Sequence, residues 1–170
     1  GKNPLEANSW KRLCDLPKQE SPFLFLDQRP RWFGRYLCFG DRQSATILTM
    51  NPQGVERVQR FPLPKAQHPC RFACDGLGRI LLAHGEETYC FENGSLSPLG
   101  FRIASGDGFN GSIPVPGTGR LVMCGFSDRE LVARLLELDV DTRRCRTTRM
   151  QNVDPRSNLL PFGDDWVLIK

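Results

Sequence analysis

A repeat of about 40 residues constrains this chain more than any other feature of its sequence. A Gly-Arg pair followed by apolar residues occurs at Gly34-Arg35, Gly78-Arg79 and Gly119-Arg120, in steps of 44 and 41 residues. A further step of 44 residues leads to Gly163, which stands just before a last apolar run at 166–169. Self-similarity at this period is the signature of repeat architectures. We therefore expect a fold made from copies of one supersecondary unit.

Each repeat has the sequence pattern of about four short strands joined by Gly, Asn, Asp or Pro turns. In the second repeat the predicted strands cover residues 71–74, 80–83, 88–91 and 96–99, and Asn93-Gly94 is a strong signal for a two-residue hairpin turn. Residues 131–140 fit helical and strand spacing equally well. Their position in the repeat favours a strand.

The strands within a repeat differ in polarity. The second is apolar on both faces, as in Ile80-Leu81-Leu82, whereas the fourth alternates apolar and charged residues, as in 55–61. Burying one such aliphatic side chain is worth roughly 1.5 to 3 kcal/mol, so the second strand belongs between two other layers. A charged outer strand protects an open edge. These features predict an all-β fold, namely a β-propeller or partial β-propeller of four-stranded antiparallel blades.

The sequence also resembles the kelch type of β-propeller. Trp10, Leu13 and Leu16-Pro17 look like the end of a kelch repeat, and residues 136–142 look like its strand that ends in an Asp-containing turn. Single glycines at Gly40, Gly85 and Gly125 stand where kelch repeats have a pair. The resemblance covers residues 9–170 and implies the propeller architecture more than the kelch subfamily.

The predicted organisation is a flexible tail at residues 1–8 and one propeller domain or fragment at 9–170. Its repeats cover approximately 22–62, 69–100 and 111–150, with a partial repeat at 157–170. Within the first repeat, 22–26 is a predicted strand and 27–31 a turn or loop. Three whole repeats and two partial ends leave strands missing, which favours a section of a larger propeller or one half of an assembly.

Composition narrows the class of protein. The formal net charge of +4 is mild for 170 residues, and acidic residues are interspersed with basic ones, which is atypical of a nucleic-acid footprint. Seven Cys residues, an odd number of which several lie inside apolar strand-like runs, favour a reducing, intracellular location, cytoplasmic or nuclear. No apolar run reaches the roughly eighteen residues of a membrane span.

Two groups of residues are candidate binding sites. The first combines aromatic and Arg residues, which are enriched in binding hot spots: Arg29, Arg31, Trp32, Phe33, Arg35 and the neighbouring Tyr36. The second lies in the basic segment 143–149, where strand geometry places Arg144 and Arg146 on one side and Arg143 and Arg149 on the other.

The sequence predicts no catalytic site, metal site or cofactor. His68, Cys70 and Cys74 lack a fourth zinc ligand. His84 stands beside Glu86 and Glu87 where a tight turn between strands is expected, and exposed Glu residues are ordinary in a turn. The segment 106–111 lacks the acidic spacing of a calcium loop.

We therefore predict a non-enzymatic scaffold that binds another protein, either a separate partner, a larger assembly or the remainder of the propeller. One alternative is a hydrolase or lyase with its site in a central channel, using Asp41, Asp75, Asp107 and Asp128. Another is a nucleic-acid-binding propeller that uses the segment from Arg143 to Arg149, where replacing Arg144 and Arg146 would test it.

Overall fold

The computed structural model describes residues 30–103, 112–127, 132–150, 158–162 and 165–169, and every regular element in these ranges is a β-strand. Three four-stranded antiparallel sheets and a two-stranded hairpin follow one another along the chain. The first sheet contains β1 (Arg31–Phe33), β2 (Tyr36–Gly40), β3 (Ser44–Asn51) and β4 (Gly54–Pro62). The second contains β5 (Arg71–Cys74), β6 (Ile80–His84), β7 (Glu87–Glu92) and β8 (Ser95–Arg102). The third contains β9 (Ile113–Pro114), β10 (Arg120–Ser127), β11 (Val132–Asp139) and β12 (Arg144–Met150), and the C-terminal hairpin pairs β13 (Asn158–Phe162) with β14 (Asp165–Ile169).

The all-β class and the four-stranded units are confirmed. The segment 131–140, whose sequence fits helical and strand spacing equally well, contains strand β11. This strand pairs with β10 on one side and with β12 on the other. Asn93 and Gly94 both have positive φ, 51° and 81°, as the predicted hairpin turn requires. The predicted loop at 27–31 is wrong at its end, because Arg31 already belongs to β1. The predicted tail and the strand at 22–26 lie outside the described residues.

The Gly-Arg pairs lie at similar places in the three sheets. Gly34-Arg35 and Gly78-Arg79 end the turns before β2 and β6, and Gly119 ends the turn before β10, which begins at Arg120. Gly34 and Gly78 have φ of 55° and 82° there, a left-handed conformation that favours glycine. The sequence period thus corresponds to one hairpin that returns in every sheet.

The second sheet is covered on both faces. Every residue of β6 is buried. Ile80 and Leu82 belong to a core shared with the first sheet, which supplies Cys38, Ala45 and Ile47. The intervening residues of β6, at 81 and 83, belong to a core shared with the third sheet, whose contributions are Leu121, Met123, Leu136, Leu138 and Val140. Successive residues of β6 therefore pack alternately against the first and the third sheet.

The sheets also meet through their first strands and inner turns. β1 and β2 contact β5, and β9 and β10 contact β13. The N–H of Cys70, which precedes β5, donates to the carbonyl of Asp41 at 3.2 Å, and the N–H of Ile103, which follows β8, donates to the carbonyl of Glu86 at 3.0 Å. Both carbonyls lie between the second and third strands of a sheet, so the connection to the next sheet is fixed in the same way twice.

A buried charge pair joins the second and third sheets. The Asp75 carboxylate, fully buried, accepts hydrogen bonds from the backbone N–H groups of Leu77 (3.0 Å) and Arg79 (2.9 Å) and from Nε of Arg79 at 2.6 Å. The Nη2 of Arg79 also lies 2.8 Å from Oδ1 of Asp141, in the turn between β11 and β12. A Cβ atom on Gly119 would collide with both groups of this second pair, so a side chain there would displace the Arg79 and Asp141 side chains.

Outer strands carry the polar residues, as predicted. β4 and β12 expose most of their side chains, and β8 alternates exposed and covered positions. In β4, Arg57, Gln59 and Phe61 pair with the β3 residues on the face toward the second sheet.

Candidate binding surfaces

The hairpin of β1 and β2 distributes the predicted aromatic group over two faces. Phe33 and Tyr36 pack against the core between the first and second sheets, where the Tyr36 ring meets Phe91 edge-on at 5.6 Å between centroids. Arg35 lies 5.3 Å above the Tyr36 ring and donates from Nη2 to its hydroxyl at 3.3 Å. The rings of Phe33 and Tyr36 therefore hold the hairpin against the core. Arg29, the remaining member of the predicted group, lies outside the described residues.

Trp32 points to the opposite face of the first sheet, away from the second sheet. The strand register places it in one row with Leu37, Leu48 and Val58, one residue from each strand. Leu48 is buried, whereas Trp32 is 58% exposed and Val58 is 38% exposed. Arg31 alternates with Trp32 along β1 and pairs with Cys38, so it belongs to the opposite face, and Arg35 lies over Tyr36. We call Trp32 with Val58 the Trp32 surface.

Arg144 and Arg146 lie far along the chain in the third sheet, and the second sheet lies between them and the Trp32 surface. They line an open cleft of about 240 Å³. The register pairs Asp139 with Arg120 on one side and with Arg144 on the other, and it pairs Glu137 with Arg146. We call this site the arginine cleft; the residues that line it are Arg120, Glu137, Leu138, Asp139, Thr142, Arg144 and Arg146.

Reading the sequence missed Arg120, Glu137 and Asp139 as members of this site. Arg120 was visible as part of the third Gly-Arg pair, and Asp139 as part of an acidic turn. Arg120 and Asp139 lie near Arg144 only because of the register of β10, β11 and β12. That register is not evident from the segment 143–149 alone.

The acidic residues of the cleft are only partly neutralised by its arginines. Asp139 accepts a hydrogen bond from the N–H of Thr142 at 3.0 Å. This hydrogen bond, with a smaller contribution from Arg120, lowers the pKa of Asp139. Glu137 lies 3.8 Å from Arg146, whose side chain is 79% exposed, so this pair is loose and weak. Among the described residues, Arg120 and Arg144 form no ion pair.

Two of the carboxylates considered for catalysis are buried and bonded within their own turns. Asp41 accepts from the N–H groups of Gln43 (2.7 Å) and Ser44 (2.6 Å) and from the Ser44 hydroxyl. Asp75 is held by Arg79 and its turn. Asp107 and Asp128 lie outside the described residues. Asp41 and Asp75 therefore stabilise their own turns, and their hydrogen bonds offer no support for a role in acid-base chemistry.

Cys70 and His84 form a buried polar pair between the first and second sheets. The Cys70 Sγ lies 3.3 Å from Nδ1 of His84, and Nε2 of His84 lies 2.6 Å from the carbonyl of Pro64. Burial strongly raises the pKa of the Cys70 thiol, with a smaller contribution from Asp41. A neutral, buried thiol is a poor nucleophile, so the pair ties strands to the linker rather than forming a catalytic dyad.

The metal-capable residues noted in the sequence are separated by their environment, since His68 is exposed and Cys70 is buried. Across the described ranges, no three His, Cys, Asp or Glu side chains are grouped so that they could hold a metal ion. The same part of the chain contains no helix that is long and apolar enough to cross a membrane.

Comparison with known proteins gives no relative: neither a family model nor a curated protein nor a solved structure matches the chain.

Proposed function

We propose that this chain is a non-enzymatic protein–protein interaction scaffold built on β-propeller repeats. Three observations support the architecture. The sheets repeat in chain order, the second is covered on both faces by its neighbours, and contacts between sheets involve their short first strands. Blades arranged around a common axis have these properties.

The observation that carries the binding function is the exposure of Trp32. A Trp side chain that is 58% exposed leaves a large apolar area in water, and its neighbours Phe33 and Tyr36 hold its strand in place. Trp is among the residues most enriched in binding hot spots, where it fills well-packed, desolvated pockets of the partner. We propose that a partner protein covers the Trp32 surface.

The channel enzyme is less well supported, because the two described carboxylates on which it depends are occupied by their own turns. The nucleic-acid alternative has the arginine cleft in its favour. The carboxylates of Glu137 and Asp139 in that cleft count against it, because they repel phosphate groups and offset the arginines on which electrostatic affinity depends.

The test compares Trp32→Ala with Leu77→Ala. Leu77 is a matched control because its side chain is 55% exposed and lies in a turn of another sheet. Immobilised wild-type and variant chains are used to select proteins retained by wild type and Leu77→Ala but not by Trp32→Ala. The best candidate is then purified and titrated by calorimetry.

Truncating a hot-spot Trp costs about 2 kcal/mol or more, so we expect Kd to weaken by about 30-fold for Trp32→Ala. Leu77→Ala should bind within about twofold of wild type, because an isolated exposed side chain contributes little. If the purified partner binds Trp32→Ala as tightly as wild type, the Trp32 surface is not the contact. Circular dichroism of both variants checks that the sheets are intact.

A further inference from the structure

The turn between β7 and β8 contains a chemically labile pair, Asn93-Gly94. Asn93 is exposed, and its side-chain amide forms no hydrogen bond in the part of the chain that the structure describes. Gly94 has no side chain to shield its backbone nitrogen, and no backbone hydrogen bond of the described turns uses its N–H. An asparagine next to such an unshielded nitrogen is thermolabile.

The reaction open to this pair is deamidation, which consumes water alone. The backbone nitrogen of Gly94 bonds to Cγ of Asn93 while the bond from Cγ to Nδ2 breaks, so ammonia leaves and a cyclic imide forms. Water then opens the imide at one or other of its carbonyl carbons. Opening at Cγ leaves an aspartate, and opening at the backbone carbonyl leaves an isoaspartate, in which the main chain runs through Cβ and Cγ.

The corresponding turn of the first sheet excludes this reaction. Asn51 is followed there by Pro52, whose nitrogen has no hydrogen and cannot close the ring. The Asn51 side chain is also held, because its Oδ1 accepts hydrogen bonds from the N–H groups of Gln53 at 2.9 Å and Gly54 at 3.0 Å. The turn between β11 and β12 contains no asparagine. Among these three turns, the reactive one is therefore that of the second sheet.

A contact with the first sheet restrains the reactive turn. Nε2 of Gln59, in β4, donates to the carbonyl oxygen of Gly94 at 2.7 Å, and the guanidinium of Arg57 lies beside the same glycine. Ring closure requires rotation about the Cα–C bond of Asn93, which displaces Gly94 and breaks its hydrogen bond with Gln59. The rate of reaction therefore depends on how often this contact opens.

We propose that Asn93 is a site of spontaneous deamidation and that the hydrogen bond from Gln59 to Gly94 controls its rate. The aspartate product retains the turn, because its main chain is unchanged. The isoaspartate product adds a carbon to the main chain of a two-residue turn, so it disrupts the pairing of Glu92 with Ser95 and the contact with the first sheet. The age of a molecule is thereby coupled to the contact between its first two sheets.

The experiment incubates the whole folded chain and maps its tryptic peptides by mass spectrometry. Cleavage after Arg79 and Arg102 separates Asn93 from Asn110-Gly111, a second Asn-Gly pair that lies outside the described residues. Deamidation changes the peptide mass by the exchange of NH for oxygen. Isoaspartate is identified by methyl transfer from a protein isoaspartate methyltransferase, and the wild-type chain held unfolded in urea gives the unrestrained rate.

Three variants test the control of the rate. Gln59→Ala removes the hydrogen bond, and Gln59→Met removes it while retaining most of the length of the side chain. Gln53→Ala is the matched control, because the Gln53 side chain is exposed and only its backbone N–H forms a hydrogen bond. Circular dichroism establishes that the sheets are intact in each variant.

We expect wild type to deamidate at Asn93 more slowly than the unfolded chain. Both Gln59 variants should react about fivefold faster than wild type, which corresponds to about 1 kcal/mol for the lost hydrogen bond. Gln53→Ala should stay within about twofold of wild type, because its side chain restrains nothing. Chains that contain isoaspartate should unfold at a lower urea concentration than the Asn93→Asp variant, whose midpoint should remain close to that of wild type.

Several results would overturn the proposal. The absence of product at Asn93 from wild type and both Gln59 variants, under conditions that deamidate the unfolded chain, would remove the site. Equal rates in wild type and the Gln59 variants would show that the hydrogen bond to Gly94 does not control the reaction. Equal stability of the isoaspartate chains and wild type would contradict the predicted loss of the contact between sheets. No partner protein enters this test, so its outcome is independent of the Trp32 surface.

Discussion

The buried pair of Asp75 and Arg79 predicts a large and specific loss of stability when Arg79 is replaced by Met. Removing one partner of a buried ion pair typically costs 3 to 5 kcal/mol, because the remaining charge is left in a poorly solvated site. Asp75 is fully buried, but it keeps two backbone N–H donors and Arg79 is 16% exposed. We therefore expect a loss of about 2 to 3 kcal/mol in the free energy of unfolding.

Urea unfolding followed by far-ultraviolet circular dichroism measures this loss, and two further variants interpret it. Arg102→Met removes an exposed Arg that lies 3.2 Å from Glu87, so it should cost no more than about 0.5 kcal/mol. Adding Asp75→Asn to Arg79→Met should recover about 1 to 2 kcal/mol, because the uncompensated charge disappears while an acceptor oxygen remains. The reasoning is refuted if Arg79→Met costs as little as Arg102→Met, or if the double variant shows no recovery.

Two further predictions concern packing and pH. Gly76→Ala should cost about 3 kcal/mol, at the upper end for overpacking, because the new Cβ would collide with the backbone of Val115; an unchanged urea midpoint would contradict it. Burial raises the pKa of Cys38 to about 12 and that of Cys90 to about 11, whereas an unfolded thiol titrates near 8.5. The unfolded state therefore loses these protons first, so stability should fall as pH rises from about 8.5 towards 12. Cys38→Ala should fall less steeply than wild type over this range, and parallel curves would exclude the thiol as a cause.

The sequence alone predicted most of the strands because local patterns and the repeat agree. β5 lies at 71–74 as predicted, and the turn at Asn93-Gly94 adopts the positive φ angles that its residues favour. For β11 the local pattern was ambiguous, and only the position in the repeat resolved it. The first repeat was harder, because aromatic residues at 32 and 33 suggested an interaction site although they also form strand β1.

The candidate sites were only partly predictable, because they depend on register and on which face each residue occupies. Consecutive aromatics in β1 separate, with Phe33 in the core and Trp32 on the opposite face. Arg144 and Arg146 were identified from their local density, but Arg120 joins them only through the pairing of β10, β11 and β12. A single sequence contains no record of such long-range pairing unless the alignment of repeats is used to infer it.

Alignment of the repeats by structure separates what the architecture needs from what it leaves free. Arg79 and Arg120 are equivalent by position, yet Arg79 holds a buried carboxylate and a neighbouring sheet, whereas Arg120 borders an open cleft. Ser95 and Arg144 are likewise equivalent, and neither is needed to cover a core. At such positions the side chains differ among the repeats while the strands remain the same. These side chains are therefore available to form a binding surface. Trp32 and the arginines of β12 lie on faces turned away from the second sheet. Substitutions of these side chains to suit a different partner would therefore leave intact the two cores that the second sheet shares with its neighbours.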